Sequence, residues 1–171
     1  MPLSPSLTAL IETFPQGDLL LTRVQSYMDE LIKWNRRINL VSRKEGDLSP
    51  HFEDSLWFAK HLPEGAQVMD VGSGGGFPGM VTQVARPDCS VTLFEPVHKK
   101  VAFLQRIRSM LAPKAVVHCE RVEPVWERGC FEHAVCKAFT DLPAWEALVQ
   151  DKATVLWFLA SQKQAEARTT G

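Results

Sequence analysis

Gln67-Val68-Met69-Asp70-Val71-Gly72-Ser73-Gly74-Gly75-Gly76-Phe77-Pro78-Gly79 is the stretch whose reading decides the fold. Gln67 to Val71 is short, apolar and β-compatible, as a buried parallel strand is, and a run of glycines follows at once. Pro78 stands where the first turn of a helix does not miss the amide hydrogen that proline lacks. Met80, Val81, Val84 and Ala85 then continue at helical spacing. The unit predicted is strand, glycine turn, helix. Such a turn sets bare backbone and unpaired amide groups at a positive helix end against a ligand, so a nucleotide-like molecule is expected there.

Gly74, Gly76 and Gly79 satisfy the G-x-G-x-x-G spacing, which alone admits NAD or FAD. Asp70 discriminates. A carboxylate at the strand's end would repel a doubly charged pyrophosphate and suits a cationic ammonium, as at the methionine end of S-adenosylmethionine. Ser90 to Glu95 reads as the next strand, and Glu95 falls about twenty residues past the glycines, where an acid binds both ribose hydroxyls. Ser73 and Phe77 complete the candidate donor loop with Asp70, Gly72, Gly74 and Gly76.

The remaining chain alternates. After Pro78–Ala85 and Ser90–Glu95 come a helix over His98–Leu111, a strand over Ala115–Cys119 and an irregular segment through Pro124 and Trp126. A strand over Ala134–Lys137, a helix over Leu142–Val149 and a strand over Thr154–Leu159 follow. This order predicts an α/β fold with a mostly parallel sheet, right-handed crossovers, helices on both faces and the ligand at the strands' C-terminal edge. Arg121, Val122, Glu123 and Lys137 lie at that edge. Upstream, Ser4-Pro5 opens a short helix that stops near Phe14. A longer helix is expected after Asp18, with Leu20, Val24, Tyr27, Leu31, Trp34 and Ile38 on one face and Arg23, Asp29, Glu30, Lys33 and Arg37 on the other. A third helix containing His51–Phe58 ends at Pro63. Residues 1–64 are therefore read as a helical cap and 65–171 as the ligand-binding core, within one compact unit.

With 171 residues and 23% charged side chains the chain is long enough for a real core and is not disordered. It has no apolar run able to cross a bilayer and no signal-peptide pattern, so a cytoplasmic protein away from membranes is expected. Cys89, Cys119, Cys130 and Cys136 form no C-x-x-C pair and read as buried thiols, with no metal site. A net charge of −1 excludes a uniformly basic nucleic-acid binder but not local patches. Lys33, Arg36, Arg37, Arg43 and Lys44 form one acid-free run, and Lys99, Lys100, Arg106, Arg108 and Lys114 another. Each run is either a phosphate-facing patch or a solvated helix face. Asn39 and His51 likewise admit a structural reading, as a cap or a satisfied backbone group, and a substrate-contact reading.

Several motifs together carry a resemblance: W-N-R-R-I-N-L at Trp34–Leu40, H-F-E-D-S-L at His51–Leu56, D-V-G-S-G-G-G-F-P-G at Asp70–Gly79, R-V-E at Arg121–Glu123 and K-A-F at Lys137–Phe139. Over Tyr27 to Val149 the chain resembles the bacterial small-subunit rRNA guanine-N7 methyltransferases, also called the glucose-inhibited division protein B family. The resemblance implies a Rossmann-like class I methyltransferase fold and S-adenosylmethionine as the methyl donor. It also implies transfer to N7 of a guanine in 16S rRNA, guanine 527 of the decoding region, with 16S rRNA or the small ribosomal subunit as partner to a monomeric enzyme. It places the donor against Gly72 and Phe77, with Val122 and Glu123 beside the adenine. Asn39 and Lys137 are the candidates at the reaction centre, and Arg36, Arg37, Asn39, Arg43, Lys44 and His51 the candidate RNA contacts. That family usually has Arg where this chain has Lys137. Its C-terminal helix and strand pair are expected to be missing here, leaving a sheet edge uncapped. A small-molecule methyltransferase and a non-catalytic RNA or ribosome-assembly module are the alternative functions.

Overall fold

The computed structural model describes residues 1–138 and 141–160. Three helices, α1 (Pro5–Glu12), α2 (Gly17–Asn35) and α3 (Ser49–His61), precede the alternating part. That part runs β1 (Gln67–Val71), α4 (Gly79–Ala85), β2 (Ser90–Phe94), α5 (His98–Leu111), β3 (Val116–His118), β4 (Phe131–Lys137), α6 (Leu142–Val149) and β5 (Ala153–Leu159). The strands lie in the order β3-β2-β1-β4-β5, and every pairing is parallel. The chain winds outward from β1 in both directions. β1 and β4 therefore flank the switch point, where connections leave in opposite senses and open a crevice for a ligand.

Period-two alternation divides the strands between two cores. Val68, Val91, Leu93 and Val135 join the larger cluster, which includes Leu7, Tyr27, Leu31, Phe52, Phe58 and Phe103 from the helices. Met69, Val71, Phe94, Ala134 and Cys136 face the opposite way, onto Trp145 and Val149 of α6. Helices thus cover both faces, as the right-handed crossover rule requires. The guanidinium of Arg86 ties the end of α3 to the sheet layer. It donates to the carbonyls of Ala59, Leu62 and Pro63 at 2.7, 3.0 and 3.2 Å and forks onto Asp88. That pairing holds the Asp88 carboxyl well below the usual carboxylate range.

The expected elements are present with shifted edges. α2 stops at Asn35 because the Asn35 side chain accepts the amides of Leu40 and Val41 at 2.9 and 3.1 Å, so Ile38 lies outside the helix. β4 begins at Phe131, three residues before Ala134, because Phe131 already pairs with Ala153. β3 is confined to Val116–His118, and Ala115 and Cys119 fall outside it. Of the four cysteines only Cys89 and Cys136 are buried; Cys119 and Cys130 are exposed, Cys119 because it follows the strand.

Glu30 corrects the expected polar face of α2. It is 7% exposed, because it flanks the apolar stripe and α5 packs over that flank. The second basic run is not unopposed either. Arg106 Nε lies 3.5 Å from Glu30, Arg108 donates to the Ala115 carbonyl and Lys114 to that of Pro87. Phe139 of the K-A-F motif and the region after residue 160, where the C-terminal strand pair was expected to be lacking, lie outside the described residues. Among the described residues no helix is long and apolar enough to cross a membrane, and no group of His, Cys, Asp or Glu could hold a metal ion.

Candidate active site

The glycine turn joins β1 to α4 at the C-terminal edge of the sheet. Gly72, Gly74 and Gly76 have φ of +73°, +54° and +94°, in the left-handed region that residues with a Cβ avoid. A Cβ on Gly72 or Gly74 would meet nothing within 4 Å, so bare backbone faces open space there. A Cβ on Gly76 would stand 2.0 Å from Tyr27 Oη, because that hydroxyl crosses the turn to donate to the Gly75 carbonyl at 2.7 Å. One wall of the turn is thus pinned to α2 while the other is free.

Asp70 is placed beneath the turn, with no exposed surface. Its Oδ2 accepts the Gly79 amide at 2.9 Å and so anchors the start of α4, whereas Oδ1 has no partner among the described residues. Burial raises its carboxyl to about 7, against the lowering effect of the Gly79 and Ser73 hydrogen bonds. Ser73 is buried and its hydroxyl lies 3.4 Å from the Asp70 carbonyl. Glu95, just past β2, accepts the Gly74 amide at 2.9 Å through Oε1 and the Val97 amide at 2.8 Å through Oε2. Each of its oxygens retains a second lone pair for a hydroxyl donor.

Phe77 leads into a cis peptide bond with Pro78, and its ring is buried among aromatic residues of the cap. His51 stacks on it with centroids 5.1 Å apart, and Phe52 meets it edge-on at 5.2 Å. Lys137, at the end of β4, brings its ammonium to 5.6 Å from the centroid of the same ring, 2.9 Å from His51 Nδ1 and 3.3 Å from Asp54 Oδ2. His51 Nε2 meets Glu45 Oε2 on its other side. An ammonium can only donate, so Nδ1 accepts from Lys137 and Nε2 is left to donate to Glu45. Burial lowers the Lys137 pKa, and Asp54 opposes that shift. The resulting knot holds one cation beside two carboxylates.

The structure therefore brings Lys137, His51 and Phe77 together, although they come from separate motifs. It adds Asp54 and Glu45, which the sequence reading missed. Asp54 could have been found, since it lies three residues after His51 on one helix face. Glu45 sits in a loop with no periodic signal. Val122 is buried against Val71 and Phe94, while its neighbours Arg121 and Glu123 are exposed. Asn39 is exposed, and its side chain has no hydrogen bond among the described residues, nor do the side chains of Arg36, Arg37 and Lys44. Arg43 reaches the Arg36 carbonyl at 3.4 Å.

A family model described as "GidB: rRNA small subunit methyltransferase G" matches residues 20–170. A protein of Chromobacterium violaceum named ribosomal RNA small subunit methyltransferase G is 39% identical over 145 residues, covering 83% of this chain and 68% of the relative. Its namesake in Desulfotalea psychrophila is 35% identical over 135 residues, covering 75% of this chain and 62% of the relative. The aligned part thus spans about two thirds of these relatives' lengths. Among solved structures, a SAM-dependent methyltransferase from Thiobacillus denitrificans in complex with S-adenosyl-L-homocysteine superposes with a TM-score of 0.52 at 16% identity, over 76% of this chain and 54% of that one. A precorrin-6y C5,15-methyltransferase from Geobacter metallireducens gives 0.54 at 10% identity, over 76% and 72%. The fold is the Rossmann-like class I methyltransferase fold.

Proposed function

The chain belongs to the GidB family, rRNA small subunit methyltransferase G, and on that premise we propose that it transfers a methyl group from S-adenosylmethionine to N7 of a guanine in 16S rRNA. The observation that carries this reading is the half-open turn. Gly72 and Gly74 present left-handed backbone to open space beside Glu95, whose carboxylate is held by the Gly74 and Val97 amides. Those features fit an adenosyl ligand with two free ribose hydroxyls and no pyrophosphate. The buried, unpartnered Oδ1 of Asp70 supplies negative potential under the turn, which favours a cationic amino acid end. Val122 offers an apolar wall at the same edge for a purine, flanked by Arg121 and Glu123. In this division, residues 65–171 hold the donor, and residues 1–64 close over the turn through Tyr27, Phe52 and His51.

When bound, S-adenosylmethionine supplies an electrophilic sulfonium methyl. Guanine N7 has an in-plane lone pair and no proton to lose, so the chain needs no general base, and its task is alignment of the two reactants. Lys137 is held over Phe77 with its ammonium fixed by His51 and Asp54. From there it donates to the carbonyl oxygen that neighbours N7. Methylation leaves the ring cationic, and the two carboxylates beside the single ammonium keep local charge from opposing that product. Asn39 and the cations Arg36, Arg37, Arg43 and Lys44 lie on the connection between α2 and α3, where they can meet RNA phosphate.

Two measurements test the reading. Titration calorimetry with S-adenosylmethionine should show one site per monomer, and labelled methyl should appear in 16S rRNA, presented naked or in assembled small subunits. Donor binding without incorporation into either RNA form would leave a methyltransferase of another substrate class. No donor binding would leave a non-catalytic module.

A further inference from the structure

Two clefts among the described residues lie away from the glycine turn. One of about 480 Å³ opens at the far edge of the sheet, around Phe14, Arg23 and Asp88. A second, of about 490 Å³, lies on the outer surface between the last turn of α2 and α5. Its floor is apolar, formed by Trp34 and Ile38, and its rim is cationic, with Lys33, Arg36, Arg37 and Arg106. Glu30 at the base is the sole acid lining it, and it binds Arg106 and Lys33 only loosely, at 3.5 and 3.7 Å. Four cations stand against one carboxylate. The side chains of Arg36 and Arg37 have no partner among the described residues, and the half-buried Trp34 has no hydrogen-bond acceptor for its indole N–H there. Behind the indole, Phe103 backs it edge-on at 5.8 Å and keeps it upright.

We propose that this cleft is a subsite for an unpaired nucleotide of the substrate RNA, with the base against Trp34 and Ile38 and its phosphates on Arg36, Arg37 and Arg106. The inference rests on the reading of RNA as substrate and adds a specific place and a single-strand preference. A solvated helix face would not carry an apolar floor, and an apolar protein-docking patch would not carry this excess of positive charge. A flat aromatic surface rimmed by cations fits a nucleotide's planar base and anionic backbone. Position agrees as well. Glu30 pairs with Arg106, and Trp34 with Phe103, so α2 and α5 run antiparallel. Moving along α2 from Glu30 to Trp34, and past its end to Ile38, therefore leads toward the start of α5, next to Glu95. Leu31, between the cleft residues Glu30 and Lys33 but on the buried face of α2, packs 3.6 Å from where a Cβ on Gly75 would stand. A strand seated in the cleft is thus led around α2 to the donor edge, and the nucleotide held is a neighbour of the target.

The test uses a fluorescein-labelled single-stranded RNA and the same strand annealed to its complement, followed by anisotropy at several salt concentrations. Trp34→Leu keeps apolar packing on Phe103 but removes the stacking surface. It should weaken single-strand binding roughly ten-fold and leave duplex binding unchanged. Arg37→Gln should weaken both and flatten the salt slope by about 0.7 on the single strand. On the unmodified protein, RNA carrying 5-iodouridine should crosslink to Trp34 in the peptide spanning the end of α2, which needs no variant to fold. Crosslinks confined to other peptides, or a folded Trp34→Leu protein that binds the single strand as tightly as its parent, would overturn the subsite. Methyl incorporation into rRNA persisting in that case would leave the proposed function standing. Loss of all RNA binding and incorporation by the unmodified protein would remove both.

Discussion

Alanine at Gly76 should destabilise the protein far more than a single methyl group suggests, because backbone strain and a steric clash meet at that atom. The backbone there has φ +94°, which costs a residue with a Cβ about 1–2 kcal/mol. The new carbon would lie 2.0 Å from Tyr27 Oη, 2.8 Å from Met80 Cβ and 3.3 Å from Leu104 Cδ2. Tyr27 cannot swing away freely, since its buried ring is set against Phe52, Phe77 and Phe103. Either the hydroxyl abandons the Gly75 carbonyl, at about 1–3 kcal/mol for a buried polar group, or the core overpacks at a similar cost. Backbone strain plus one of these gives about 3 kcal/mol as the expected loss in urea unfolding, with donor affinity falling as the turn distorts. Tyr27→Phe alone should cost about 1–2 kcal/mol but should partly relieve the alanine, because it removes the atom that the Cβ meets. The double-mutant cycle should therefore show coupling of at least about 1 kcal/mol. Strictly additive losses, or a Gly76→Ala cost below about 1 kcal/mol, would refute the claim that Tyr27 pins the turn.

Other expectations follow from the same geometry. The Asp70 carboxyl is raised to about 7 by burial, so the native state holds more protons than the unfolded chain between about pH 4 and that value. Stability from this group therefore falls as pH rises through that window, and Asp70→Asn should gain on its parent in urea melts between about pH 4 and about pH 7; parallel curves would contradict this. Lys137→Met should lower methyl incorporation by about 100-fold with little change in donor affinity by calorimetry, whereas Lys137→Arg, which keeps the cation, should lose far less. Arg86→Met strips the donors from three carbonyls at the end of α3 and should cost about 3 kcal/mol in urea unfolding; a loss under about 1 kcal/mol would show that water replaces the guanidinium there.

The buried Lys152 shows how a site-shaping contact escapes a linear reading. It sits between β-structure and a loop, with Nζ donating to the carbonyls of Pro124 and Leu148 and paired with Asp151 at 2.9 Å. This bond fastens the irregular segment after β3, which carries Val122, to the end of α6. Nothing in its local sequence distinguishes Lys152 from a surface lysine. His51 differs in that its motif marked it, yet the structure uses both ring nitrogens inside the protein, on Glu45 and Lys137. The geometry gives it the part of holding Lys137 in place.

What the chain by itself determined was everything governed by neighbours within a few residues. Alternation of apolar periods set strands against helices, the glycines marked where left-handed backbone would be needed, and the distance from that turn to Glu95 followed from the length of one helix and one strand. What only the tertiary structure decided were pairings across long stretches of chain: Lys137 with His51, 86 positions apart; Glu30 sunk under α5; and Asp70 turned below the loop toward Gly79. Local periodicity reports which face of an element is apolar, but the charge state and partner of a polar group depend on which other element packs over it and how much water that packing removes.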